Sequence, residues 1–145
     1  MEARNYINDR LIPQQKWFSR EAGKNKLIYF ILNAIGIASS LIVAALLQID
    51  DCPKIAPTCF TLLASFSVSL NQLFRPEKTW LLYRAISEFL KSEKMMYIHS
   101  AGPYSEAKDD TSKEKLLVGK SENIIKEALE VWKQMFSEKK DKNQN

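Results

Sequence analysis

The sequence predicts an all-α membrane protein: two transmembrane helices joined as a hairpin, with cytoplasmic helical extensions packed by a C-terminal amphipathic helix. Three observations carry this expectation. Leu27 to Ile49 is a run of 23 residues, and Ile55 to Phe74 a run of 20, without a single acidic or basic side chain. At about 1.5 Å per residue, each is long enough for a hydrocarbon core of roughly 30 Å. Basic residues flank the pair unevenly: Lys16, Arg20, Lys24 and Lys26 come before it, Arg75, Lys78 and Arg84 after it, and only Lys54 lies between. That asymmetry places both termini of a multi-pass protein in the cytoplasm.

Overall composition would mislead, because 26% charged and 46% hydrophobic residues are ordinary values for a soluble domain. The distribution argues against a soluble bundle with two core helices, since a buried helix is usually amphipathic somewhere along its length and these runs are apolar all round. A cleaved signal peptide fits no better. The first run starts late, is long, and is followed at once by a second.

Taken in order, Pro13 suits the first turn of a helix over about 13–26 that continues into the first span, 27–49. Gly23 weakens this helix without ending it. The five residues from Asp50 to Lys54 form a tight turn, and the second span covers 55–74. Arg75 and Pro76 mark the return to water. A cytoplasmic helix follows over 77–98, with Leu82, Ile86, Phe89 and Leu90 on one side. Ser100 to Asp110, containing AGPY, reads as a loop. TSKE, Thr111 to Glu114, has the form of a capping box opening a helix over 112–138. Its wide apolar stripe includes Leu117, Ile124, Ala128, Val131 and Met135, joined by Ile125, Leu129, Trp132 and Phe136, and is expected to be buried against other helices. Residues 1–138 thus make one membrane-hairpin domain. Residues 139–145 have no apolar anchor and read as a disordered tail.

The chemistry of the chain is mostly defined by what it lacks. One histidine, His99, and two cysteines, Cys52 and Cys59, have no partners at metal-ligand spacing, and no phosphate loop or nucleophile elbow is present. No enzymatic activity, no catalytic residue, no cofactor and no metal is expected. A Cys52–Cys59 disulfide is geometrically poor, with one residue at the outer face and the other two turns into the span. The net charge of +4 and pI near 9.0 do not point to nucleic acid. The basic residues nearest the spans are placed to meet anionic lipid headgroups, and the lysines further on alternate with glutamates as on a solvated helix face.

Polar residues inside the spans form stripes. At about 100° per residue, Asn33, Gly36, Ser40 and Ala44 share an arc of the first span, and Thr58, Thr61, Ser65, Ser69 and Gln72 share one of the second. Small and hydroxyl-bearing stripes let helices approach closely in lipid, so these two are expected to pack the hairpin. Ser67 and Asn71 lie on the opposite side of the second span. They are left for another subunit, a water-filled path or the headgroup region. Two helices enclose no pore alone, so conduction requires a homo-oligomer with Ser67 and Asn71, or the Thr58 stripe, lining the channel. Trp80, roughly 9 Å past the second span, fits an interfacial belt, whereas Trp17 belongs to the cytoplasmic bundle. Arg84 and Glu88 are four apart in the weaker order for a helical pair, which favours a different partner for Arg84, such as Glu21 or a lipid phosphate.

PQQKWFSREA before the hairpin, then EKTWLLYRAISEFLKSEKMMY, then AGPY together resemble the SLATT superfamily. More closely, they resemble its bacterial branch catalogued as a domain of unknown function with two transmembrane helices. The resemblance runs through Trp132 and rests on Trp17, Arg20, Trp80, Tyr83, Arg84, Glu88, Glu93, Tyr97, Gly102, Pro103, Tyr104 and Trp132. It implies an oligomeric pore-forming membrane effector of a bacterial conflict system, opened by a nucleotide-signal sensor. The resemblance also implies the inner membrane, and, no sensor being fused to this chain, the trigger is expected to act through a separate protein or to be absent. The alternatives are a membrane-anchored interaction module and a housekeeping ion channel subunit.

Overall fold

Helical structure begins upstream of Pro13. In the computed structural model, which describes residues 5–49, 53–107 and 109–142, a π-helical stretch, Ile7–Leu11, leads directly into helix α1, Ile12–Leu46. The widened turn is marked by the Ile12 N–H donating to the Ile7 carbonyl, five residues back. Proline lacks an N–H and its ring crowds the carbonyl four residues earlier, and a π turn just before Pro13 absorbs that conflict without ending the helix. The remaining helices are α2, Ile55–Phe74, α3, Pro76–Ile98, and α4, Asp110–Lys142, with a 3₁₀ turn, Gly102–Tyr104, between α3 and α4. Among the described residues there is no strand.

The helix ends have local causes. α2 stops at Arg75, whose left-handed backbone (φ 46°, ψ 49°) lets its N–H reach the Asn71 carbonyl, and Pro76 then opens α3. α3 stops similarly at Ser100 (φ 48°), with the Ala101 N–H donating to the Met96 carbonyl at 2.9 Å. Gly102 has φ +59°, the region a glycine enters at no steric cost. The N-terminus of α4 is held by Asp109, whose Oδ1 accepts from the Ser112 N–H at 3.2 Å. The cap is therefore Asp109, not the TSKE box, because the aspartate stands nearer the first free N–H groups. α4 also continues to Lys142 rather than ending near Glu138. The first apolar helix ends at Leu46, and Leu47 to Ile49 leave it as a turn. Asp50, Asp51, Cys52, the Phe136 side chain and Asn143 to Asn145 lie outside what is described.

The chain divides into two compact units, one of residues 1–22 and 81–145, the other of 23–80. In the first, Phe18, Ile86, Leu90 and Ala128 form one buried cluster, and Leu11, Tyr104 and Leu117 a second. Leu90 and Leu117 are fully buried, which contributes about 1.5–3 kcal/mol each relative to exposure. Leu129, Val131 and Trp132 are instead exposed. The α4 stripe is thus narrower than its apolar residues imply, because Leu117, Ser121 and Ala128 occupy the contact line.

In the second unit, α1 and α2 are antiparallel. Ser39 and Ser67 are buried between them, and a Cβ placed on Gly36 would lie 3.9 Å from that of Ser67. Small residues at the contact permit that approach. Among the described residues one helix is long and apolar enough to cross a membrane, the continuous stretch Ile7–Leu46. The second charge-free run forms the expected 20-residue helix, although Asn71 and Gln72 make it less apolar.

Candidate functional site

The two units carry different chemistry. In the hairpin unit the polar residues divide unlike the expectation. Ser67, assigned to an outer face, is buried against α1, whereas Thr58, Thr61, Ser65, Ser69 and Gln72 are exposed on α2. On α1, Gly36 faces α2, Asn33 is half-buried, and Ser40 and Ala44 are exposed. The reason lies in local hydrogen bonding. Thr58, Thr61 and Ser69 donate to the carbonyls of Lys54, Pro57 and Ser65 at 2.8 Å, and Ser40 to that of Gly36 at 2.9 Å. A hydroxyl satisfied within its own turn needs no partner helix, so it imposes no facing direction.

Beside the helix contact runs a groove of about 650 Å³ lined by Asn33, Gly36, Ile37, Ala64, Val68 and Asn71 among others. The Asn33 side-chain amide donates to the Tyr29 carbonyl at 2.8 Å. Asn71 Oδ1 is buried without a hydrogen-bond partner among the described residues. Near the charged end of the same unit, Lys26 Nζ lies 5.7 Å from the centre of the Trp80 ring and 5.9 Å from that of Phe30. Both are cation–π distances. The Trp80 ring is half-buried and its indole N–H points inward without a partner among the described residues.

The other unit gathers most of the aromatic and charged residues singled out in the sequence. Tyr104 is fully buried, donates to Glu93 Oε2 at 2.7 Å, and meets Tyr97 edge-on at 5.8 Å. Lys120 lies 3.9 Å from the other Glu93 oxygen and 5.9 Å from the Tyr104 ring. Burial, and then the neighbouring carboxylate, push the Tyr104 phenol far above its ordinary value. Both effects favour the neutral phenol that donates to Glu93. Gly102 and Pro103 are exposed and shape the turn that delivers Tyr104 to Glu93.

A second lock was not legible beforehand. Arg10 grips Glu122 through both carboxylate oxygens at 2.9 and 3.1 Å, and Tyr6 donates to the same carboxylate at 3.2 Å. Burial foremost raises the Tyr6 phenol to about 12, and the Arg10 guanidinium holds the Glu122 carboxyl below its usual value. The only sequence cue was the four-residue spacing of Tyr6 and Arg10. Trp17, Phe18 and Tyr83 form an aromatic trio with centroids 4.9–5.7 Å apart. Burial, with Glu21 nearby, raises the Tyr83 phenol. Arg84 pairs with Glu88 at 2.9 Å on the exposed face of α3, contrary to the expectation of a different partner. Both side chains are about half exposed, and the pair forms despite the weaker helical order. Arg20 is exposed.

Among the described residues, no three side chains of the metal-ligating types converge, and Cys59 is an exposed free thiol. A family described as a protein of unknown function matches residues 13–112, well over half of the chain. The chain belongs to the DUF4231 family. The DUF4231 segment takes in the hairpin, α3 and the Gly102–Tyr104 turn, and ends three residues into α4. Lys120, Glu122 and Trp132 therefore lie beyond it, Trp132 having been expected within. No curated protein and no solved structure matches this DUF4231 chain.

Proposed function

We propose that the chain is a two-span inner-membrane protein with both termini in the cytoplasm, and that it assembles as a homo-oligomer into a pore or channel. The observation that carries this reading is the hydroxyl face of α2. Thr58, Thr61, Ser65 and Ser69 are exposed on one side of a 20-residue helix without a charged side chain, and the hairpin partner leaves them accessible. Several such faces turned inward line a polar path, and hydroxyls already bonded to their own backbone do so at little cost. The charge-free lengths, the basic flanks and the resemblance to SLATT membrane effectors support the same reading. As an effector of a bacterial conflict system, the pore takes its trigger from a separate sensor protein.

The test is single-channel current of the purified full chain in a planar bilayer, with the subunit count taken from the same preparation. Discrete current from four or more copies is expected, with Thr61→Leu/Ser65→Leu abolishing it while helicity is retained. Current unchanged in that double variant removes the hydroxyl face from the conduction path. A silent monomer or dimer overturns the pore.

A second reading has its own support. Phe89, Leu129 and Trp132 are exposed in the non-hairpin unit, as expected of a docking module for which the hairpin is an anchor. Function preserved after replacement of both spans by unrelated ones favours this anchor.

A further inference from the structure

Lys26 is the last residue before the first charge-free run and Trp80 lies just past the second, so in an antiparallel hairpin both stand at one end. The Lys26 side chain is exposed, yet its ammonium is positioned over two aromatic rings. Among the described residues no carboxylate lies within ion-pair distance of it. A cation held this way keeps its charge available for an outside anion.

The helix face below Lys26 continues the pattern. At about 100° per residue, Lys26, Phe30, Ile37 and Leu41 fall within an arc of roughly 60°. Ile37 and Leu41 are also walls of the α1–α2 groove. Along the groove, the amides of Asn33 and Asn71 stand at the Lys26 end, and Ala64 and Leu41 lie deeper beside the small residues Ser40 and Ser65, the Ser40 hydroxyl being bonded within its own helix. Polarity thus falls away from Lys26 in the order cation, amides, hydrocarbon, which is the order of a phospholipid from phosphate through esters to acyl chain.

We propose that Lys26, held by Trp80 and Phe30, binds the phosphate of an anionic phospholipid in the cytoplasmic leaflet, with one acyl chain lying in the α1–α2 groove. The proposal rests on the membrane-hairpin part of the reading above and not on conduction. The phosphate is the group recognised by charge, and the groove makes the ligand a lipid rather than a soluble phosphate ester.

The experiment uses the full chain with Trp17→Phe and Trp132→Phe, leaving Trp80 as the only tryptophan, reconstituted in vesicles containing acyl-brominated phosphatidylglycerol or phosphatidylcholine. Bromine quenches the indole at close range, so the ratio of quenching by the two lipids reads their relative occupancy beside Trp80. Phosphatidylglycerol is expected to be preferred about fivefold, the factor one basic side chain provides at an anionic surface. Lys26→Ala removes the preference, whereas Lys78→Ala, the same change of charge on an exposed neighbour, retains it. Ala64→Phe, which fills the groove, also reduces it.

Equal quenching by the two lipids, or equal effects of Lys26→Ala and Lys78→Ala, overturns the site while leaving the hairpin in the bilayer. Loss of the preference on adding glycerol phosphate overturns the lipid in favour of a soluble ester. A preference unchanged in Ala64→Phe overturns the seat in the groove and points to another occupant, such as a second copy. No quenching by either lipid overturns the hairpin itself.

Discussion

Removing one hydroxyl tests how the non-hairpin unit is held together. Tyr104→Phe keeps the fully buried ring and its contact with Tyr97 but deletes the 2.7 Å bond to Glu93. The Glu93 side chain is only 13% exposed, so water replaces the lost donor incompletely. A hydrogen bond to a charged group contributes about 1.5–3 kcal/mol. Lys120 still stands 3.9 Å from the other oxygen, which favours the lower half of that range. For a unit of somewhat under 100 residues, a loss of about 1.5–2 kcal/mol lowers the melting temperature by roughly 6–16 °C. The assay is thermal unfolding of the full chain in detergent, followed by near-ultraviolet circular dichroism, with hydrogen exchange at Ala101 to Ser105 as the local readout. Glu93→Gln added to Tyr104→Phe should cost little more, because the two groups act as a pair. A shift below about 2 °C for Tyr104→Phe, with unchanged exchange in the turn, refutes the claim that this bond fastens the turn to α3.

Three further outcomes are expected. Tyr6, Tyr83, Tyr97 and Tyr104 all have phenols raised above 10.0, chiefly by burial. A group whose folded value is raised contributes stability that is complete below its unfolded value, so the unit should weaken as pH climbs from 10 towards about 12, the Tyr6 value. Phenolate absorbance rising together with unfolding checks this, and ionisation at pH 10 in the intact fold refutes it. Arg84→Ala removes only an exposed pair within one helix, so stability should fall by about 0.5 kcal/mol or less and leave the melting curve nearly unmoved. Gly36→Ala should be tolerated, since its Cβ meets Ser67 at an ordinary 3.9 Å. Gly36→Leu should part the helices, read as a lower melting temperature and faster proteolysis of the hairpin.

Helix positions were largely legible because their signals are local. A charge-free run, a proline after a basic residue and a 3.6-residue apolar period each act within a few turns, and α2 and α3 begin and end within a residue of expectation. Facing directions were not. The hydroxyls of Thr61 and Ser69 look like contact residues in sequence, but a bond to the preceding turn frees them from any partner. Glu122 looks like one more solvated charge on α4 until Arg10 and Tyr6 arrive from more than a hundred residues away. Trp132 lies on the apolar side of α4 yet stays exposed, because the buried contact line runs through Leu117, Ser121 and Ala128 instead.

The π turn before Pro13 also changes how the N-terminus tolerates length. A π turn is an α-helix carrying one surplus residue, which the wider turn takes up without rotating the helix on either side. Excising that residue, for example Asn8, would restore an ordinary turn and leave both Phe18 and Tyr6 in phase. Inserting a further residue into Ile7–Leu11 is different, because the turn is already widened, and about 100° of rotation would then swing Tyr6 away from Glu122. The N-terminal segment is in this sense a buffer already filled, and its attachment to α4 depends on counting as much as on chemistry.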